Sequence, residues 1–181
     1  GLYHTERFYG LIASRMGIDD AQLAACLEPR IAEHVAAQRA LRERVKGRRL
    51  AFCIRMHKSH QSDHLAYEGL ASLELLRELG FDVRILVQGP PEERARESFA
   101  VRLTELGYGE VPFDVFRGPW ELGEQLRAGR FELAVMSEFA RNVVEKAGIP
   151  WVNFLSLRPF FSGMSENLSL LSRVADEMER P

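Results

Sequence analysis

The sequence predicts an α/β chain built on a mostly parallel sheet, and three observations carry that expectation. Short apolar runs, such as RLAFCI at 49–54 and FDVRILV at 81–87, are the continuous type found in strands covered on both faces. Between them lie segments whose apolar residues recur every three to four positions, the helical period. Glycines close those segments, as at Leu79-Gly80 and Ala147-Gly148, where Pro150 also prevents the helix from resuming. Strands and helices alternating at this spacing form right-handed βαβ units.

Taken in order, Thr5 is placed to cap a first helix through about Met16, with Gly17 as its stop. A second helical pattern covers about 20–46, carrying Leu23, Leu27, Ile31, Val35, Leu41 and Val45, and Pro29 should break or kink it. Its Arg and Glu residues read as a solvated face. The period then changes, giving a first strand at 49–54. Ser62 or Asp63 caps a helix through Leu79, and a second strand follows at 81–87 with a turn at 88–91. A helix at about 92–106, a strand at 111–116, a short helix at 120–128 and a strand at 131–136 come next. Residues 139–147 are helical, 151–155 read as a strand covered on both faces, and a last helix covers about 165–178. We expect residues 1–46 to form a helical lead-in and 47–181 a three-layer Rossmann-like domain.

With 181 residues, 46% of them hydrophobic, the chain can build one sizeable core. Lys and Arg total 24 against 26 Asp and Glu, a formal net charge of −2, so no electrostatic footprint for nucleic acid or an anionic membrane is present. No apolar run approaches bilayer length, and the amino terminus lacks a signal-peptide pattern. Cys26 and Cys53 fit neither a disulfide framework nor a zinc knuckle, so a reducing cytosol is the expected compartment. Because the chain opens at Gly1 without methionine and closes at Pro181 just after a helical pattern, we expect a piece of a longer polypeptide.

Neither G-x-G-x-x-G after the first strand nor G-x-x-x-x-G-K-[ST] occurs, which argues against nicotinamide, flavin and ATP sites in this piece. No G-x-S-x-G elbow is present for a hydrolytic triad. Candidate chemistry falls at the carboxyl edge of the sheet, where open α/β folds bind ligands. After the first strand comes Arg55-Met56-His57-Lys58-Ser59-His60-Gln61-Ser62-Asp63-His64, holding three of the chain's five histidines. Arg55, His57, Lys58, His60 and His64 there could contact a carboxylate-bearing ligand, exchange a proton near neutral pH or ligate a metal, and an ordinary polar loop is the alternative. His60 and His64 have the i, i+4 spacing of a zinc helix, yet Gln61 stands where the zincin glutamate belongs, so no metal site is assigned. Ser156 and Arg158 lie past the strand that follows Pro150; Arg158 is a candidate anion clamp, or a solvated arginine worth little. Cys53 reads as a small buried hydrophobe, and Cys26 as packed rather than reactive. Trp120, Trp151, Phe160 and Phe161 could stack on a flat ligand but more simply serve as core.

The order and spacing of these pieces resemble the carboxyl-terminal Rossmann-like domain of the nitrogenase component 1 superfamily. Matching elements are Lys46-Gly47-Arg48-Arg49-Leu50, Leu79-Gly80-Phe81-Asp82-Val83, Gly129-Arg130-Phe131-Glu132-Leu133-Ala134-Val135 and Gly148-Ile149-Pro150-Trp151. The resemblance implies a subunit that helps form the substrate or metallocofactor pocket of an ATP-dependent reductase. It further implies an iron–sulfur cluster in the complete assembly with none held by this fragment, a related component 1-type subunit, and an electron-donating ATPase of the nitrogenase iron-protein type. In molybdenum nitrogenase the strand after G-I-P carries a cofactor-binding histidine; Leu155 stands there in this chain. Ser156-Leu157-Arg158-Pro159-Phe160 looks like an S-x-R-P element of the chlorophyllide oxidoreductase Y subunit, a lean toward tetrapyrrole reductases. The resemblance also raises the prospect of ligand contact by the loop 55–64. A non-catalytic cofactor-assembly scaffold of the same superfamily and an unrelated Rossmann-like ligand-binding domain are the alternatives.

Overall fold

Between its two terminal arginines, the first strand has no exposed side chain: Leu50, Ala51, Phe52, Cys53 and Ile54 are all fully buried. A strand covered in this way must pair on both edges and be roofed on both faces, and the rest of the chain supplies that cover. In the computed structural model, which describes residues 2–55, 69–90, 92–158 and 160–179, α1 (Leu2–Met16) and α2 (Asp20–Val45) precede β1 (Arg49–Arg55). A 3-10 turn (Leu70–Ser72) leads to α3 (Leu73–Glu78), β2 (Asp82–Gln88), α4 (Glu93–Glu105), β3 (Phe113–Phe116), α5 (Pro119–Gly129) and β4 (Leu133–Met136). A second such turn (Glu138–Ala140), α6 (Arg141–Lys146), β5 (Trp151–Asn153), a third turn (Phe154–Ser156) and α7 (Phe160–Met178) complete the order.

Among the described residues the five strands are all parallel, in the order β3-β2-β1-β4-β5. The chain steps outward from β1 through β2 to β3, then crosses back to place β4 on the other side of β1. Register is set by pairs such as Phe52 with Ile85 on one side and with Val135 on the other. Reversal of winding between β1 and β4 leaves a crevice at their carboxyl ends, the place where folds of this kind bind ligands.

Side-chain size divides the two faces. Leu50, Phe52, Ile54, Ile85, Val87, Leu133 and Val135 meet Leu41 and Val45 of α2, Leu73 and Leu76 of α3, Phe99 and Leu103 of α4 and Leu168 and Leu171 of α7. The other face offers Ala51, Cys53, Ala134 and Met136 to Leu122 and Leu126 of α5 and Val144 of α6. Each fully buried large side chain contributes roughly 1.5–3 kcal/mol, so the face under α2, α3, α4 and α7 carries most of the apolar stabilisation. The result is a three-layer, Rossmann-like α/β arrangement. Arg44 joins α2 to α7 through Asp176 at 2.6 Å, Glu179 at 3.1 Å and the Ser172 hydroxyl at 3.1 Å. Among the described residues no helix is long and apolar enough to cross a membrane.

Several expected boundaries move. Thr5 lies inside α1 and is buried rather than capping it, whereas the Asp19 carboxylate caps α2 by accepting from the Gln22 amide at 2.8 Å. α2 runs through Pro29 without ending; proline removes one backbone donor, and the remaining turns on either side still hold the helix. The expected cap at Ser62 or Asp63 lies outside the described residues; from Gly69, at φ +84, the described chain runs as the 3-10 turn and then α3, which ends at Glu78. The expected strand at 151–155 stops at Asn153, whose side-chain oxygen accepts from the Leu155 amide at 3.0 Å and turns the backbone into a 3-10 helix. Leu155 is consequently 72% exposed instead of covered. Trp120 is likewise exposed, at 77%, because it stands in the first turn of α5 outside the layer contacts. α7 starts five residues before the expected Ser165.

Two measurements test this packing. His34 on α2 is 4% exposed and neither ring nitrogen has a hydrogen-bond partner; burial is the main cause holding its pKa below the ordinary 6.5. The unfolded chain therefore takes up this proton at higher pH than the folded one, and stability should fall as pH drops below about 6.5. Urea midpoints between about pH 7 and about pH 5 should decline more for the wild type than for His34→Leu; equal declines would show that His34 does not drive the loss. Burial also pushes the Cys53 thiol up to about 12, while Cys26 is exposed. Native protein should thus react with a thiol reagent at Cys26 alone, and unfolding should release Cys53; rapid native labelling at both would contradict the sheet packing.

Candidate functional site at the carboxyl edge of the sheet

Three strand ends define the site. At the end of β1, the Arg55 guanidinium lies over the Phe139 ring, 4.5 Å from its centroid. Phe139 comes from the turn after β4 and stacks on buried Phe116 of β3, with centroids 6.5 Å apart and planes 6° from parallel. The arginine thus rests on an aromatic platform anchored in the core, an arrangement that orients a cation and keeps its charge at the surface. Beside Phe139, Glu138 Oε1 accepts from Asn153 Nδ2 of β5 at 3.5 Å, and Glu138 Oε2 lies 3.7 Å from the Arg141 guanidinium. Positive, aromatic and negative groups therefore line the switch point between β1 and β4 and its neighbour β5.

Past β5, the chain carries Ser156 and Arg158 on a braced loop. Ser156 ends the 3-10 turn and is exposed; Leu157, buried, donates its amide to the Phe154 carbonyl at 3.0 Å. Asn167 of α7 is 4% exposed and grips the backbone of Arg158 twice: its Oδ1 accepts from the Arg158 amide at 2.8 Å, and its Nδ2 donates to the Arg158 carbonyl at 2.7 Å. Gly163 allows this approach, because a Cβ there would sit 2.3 Å from Arg158 Cβ and 2.8 Å from its carbonyl oxygen. The Arg158 guanidinium reaches Glu166 at 3.0 Å, with both side chains largely exposed.

Gly69 connects this loop to the segment following β1. Its left-handed backbone packs directly on the Phe154 ring, which stacks on Phe52 in the core at 6.5 Å. The chain that leaves β1 at Arg55 therefore returns beside Phe154, two residues before Ser156. His57, Lys58, His60 and His64 lie between those two fixed points and outside the described residues. Of the predicted site residues, the structure describes Arg55, Ser156 and Arg158, all at the carboxyl edge, on β1 and after β5 with β4 between them. Sequence reasoning missed Glu138, Phe139, Asn153, Glu166 and Asn167. For the first two a signal existed: the apolar run of β4 ends at Met136, and Ser137-Glu138-Phe139 follows at the same edge as the loops that were singled out.

Among the described residues no three His, Cys, Asp or Glu side chains gather to hold a metal ion. Cys53 lies in the middle of β1 within the face covered by α5 and α6, and its high pKa keeps it a neutral thiol. The described part of this chain therefore offers orientation and charge at the crevice, and not the donor set of a cluster.

Replacing Gly163 with Ala tests the bracing. The added methyl would collide with backbone as well as side chain of Arg158, so Gly163→Ala should destabilise the fold by about 1–3 kcal/mol, as overpacking does. Thermal unfolding measures this; an unchanged midpoint would mean that the loop shifts freely away from α7.

No family model matches the chain, and no curated protein sequence matches it. The structure of nitrogenase Cp1 at pH 6.5 is similar to it, with a TM-score of 0.62 and 12% sequence identity. That similarity covers 97% of this chain and 38% of the nitrogenase chain, so this chain spans well under half of the subunit it matches. At such identity the likeness concerns the fold, and the chain has a nitrogenase component 1-like fold throughout nearly its whole length.

Proposed function

We propose that this chain is a domain of a nitrogenase-like oxidoreductase subunit and that its carboxyl sheet edge forms one wall of a substrate or metallocofactor pocket. The observation that carries the reading is the coincidence of a nitrogenase component 1-like fold over 97% of the chain with polar and aromatic groups at the switch point. In this reading residues 1–46 are a helical lead-in and 47–181 the pocket-forming domain. Arg55 and Arg158 bind and orient an anionic or metal-bearing ligand, Ser156 adds a hydroxyl, and His57, Lys58, His60 and His64, outside the described residues, contribute further ligand contacts. Glu138 and Asn153 fix the turns on which these groups stand.

Reducing power comes from elsewhere in the assembly. An iron–sulfur cluster held by other segments would supply electrons one at a time, delivered by an iron-protein-like ATPase, and a related component 1-type subunit would complete the pocket. The S-x-R-P element at Ser156-Leu157-Arg158-Pro159 favours a tetrapyrrole among substrates of this kind.

The experiment is an anaerobic absorption spectrum with iron analysis of the protein purified together with its associated subunits. Broad iron–sulfur absorption is expected, with a pigment band added if the ligand is a tetrapyrrole; a colourless, iron-free complex would overturn the assignment. A complex that retains its cofactor yet gives no turnover with reductant and ATPase would instead indicate a scaffold role. In the same complex, Arg158→Ala should lower ligand retention while changing stability by no more than about 0.5 kcal/mol, as for a surface substitution. Unchanged retention would remove Arg158 from the site.

A further inference from the structure

Arg158 combines a fixed backbone with a loosely held charge. Both of its backbone polar groups are engaged by Asn167, at 2.8 and 2.7 Å, and Gly163 closes the remaining space beneath it. Asn167 is buried and uses its carbonyl and its amide on this one residue, so the pairing is specific to an asparagine. Aspartate would lose the donor, and leucine both bonds. By contrast, the guanidinium is 67% exposed and is met by a Glu166 carboxylate that is 60% exposed. An ion pair in water of this kind is worth little and exchanges readily for another oxyanion.

Resting on the reading of Arg158 as a ligand-binding residue, we propose that Arg158 and Glu166 form an exchange clamp for an oxyanion, with Asn167 as the positioning residue. Glu166 occupies the guanidinium while the crevice is empty, and the carboxylate or phosphate group of a ligand takes its place. Glu166 lies on α7, three positions after Gly163, within the same first turns that brace the loop, so displacing its carboxylate leaves the backbone clamp intact. The planar guanidinium then presents its paired N–H donors to the incoming oxyanion from a backbone that Asn167 holds in place. Selectivity follows from competition: a ligand must bind Arg158 better than a tethered carboxylate does, which favours doubly charged or bidentate oxyanions over weak ones.

The test uses the purified chain and inorganic phosphate as probe, titrated at low ionic strength and followed by the backbone amide resonances of residues 156–158 and 163–167, which every variant retains. Wild-type protein should bind phosphate saturably, Arg158→Ala should not, and Glu166→Gln should bind about threefold more tightly, the gain from removing an exposed competitor. Asn167→Ala should bind about tenfold more weakly, the cost of ordering a loop backbone no longer held in advance. In the double variant the gain from Glu166→Gln should disappear, a coupling that independent effects at the two positions would not produce. Phosphate binding unaffected by Arg158→Ala would overturn the reading of Arg158 itself. Binding lost in Arg158→Ala but unchanged in Glu166→Gln would leave that reading standing and overturn the exchange. Because Glu166 is at the surface, this decisive variant does not depend on the buried Asn167→Ala protein folding.

Discussion

The fold depends on the burial of β1. Its five inner residues are sealed from water, so every backbone donor and acceptor along it needs a strand partner, and β2 and β4 provide them on either side. Once β1 is central, parallel pairing requires crossovers long enough to carry helices, and right-handed crossovers place those helices on opposite faces for the two halves of the sheet. α3 and α4 cover one face as the chain winds outward, α5 and α6 the other as it winds back. The crevice at the ends of β1 and β4 is a geometric consequence of that reversal.

The partition of side-chain size follows from the same constraint. Leu50, Phe52 and Ile54 alternate with Ala51 and Cys53 along one strand, so one face must accept bulk and the other close approach. The bulky face recruits the carboxyl end of α2 and the length of α7, which brings Leu41 and Val45 into the same core as the sheet. Leu41 and Val45 are buried there, whereas Val35, one helical turn and more toward the amino terminus, is 45% exposed. His34 is the exception on that stretch, a polar ring enclosed without partners.

Core rigidity is transmitted to the crevice through aromatic rings and one amide. Phe139 carries Arg55 and stands on Phe116; Phe154 receives Gly69 and stands on Phe52. Asn167 does the equivalent for Arg158. Surface loops thereby gain defined directions without being buried themselves, which lets charged groups face a ligand while their backbones remain fixed.

Periodicity alone determined the class of the fold, because continuous apolar runs and three-to-four-residue spacing report burial and helix formation locally. Gly17, Gly80 and Gly148 marked helix ends correctly, since only glycine adopts their positive φ at no cost. The sequence also placed Arg55, Ser156 and Arg158 at the carboxyl ends of strands, and the structure finds them there. Tertiary structure decided what local pattern could not express: the order β3-β2-β1-β4-β5, the end of β5 at Asn153 and the need for a glycine at 69, where a distant phenylalanine takes the space of a side chain. It also decided the partners of the site residues. Asn167 and Arg158 are nine positions apart and Arg55 and Phe139 much farther, and contacts across such separations arise only when the core has brought their elements together.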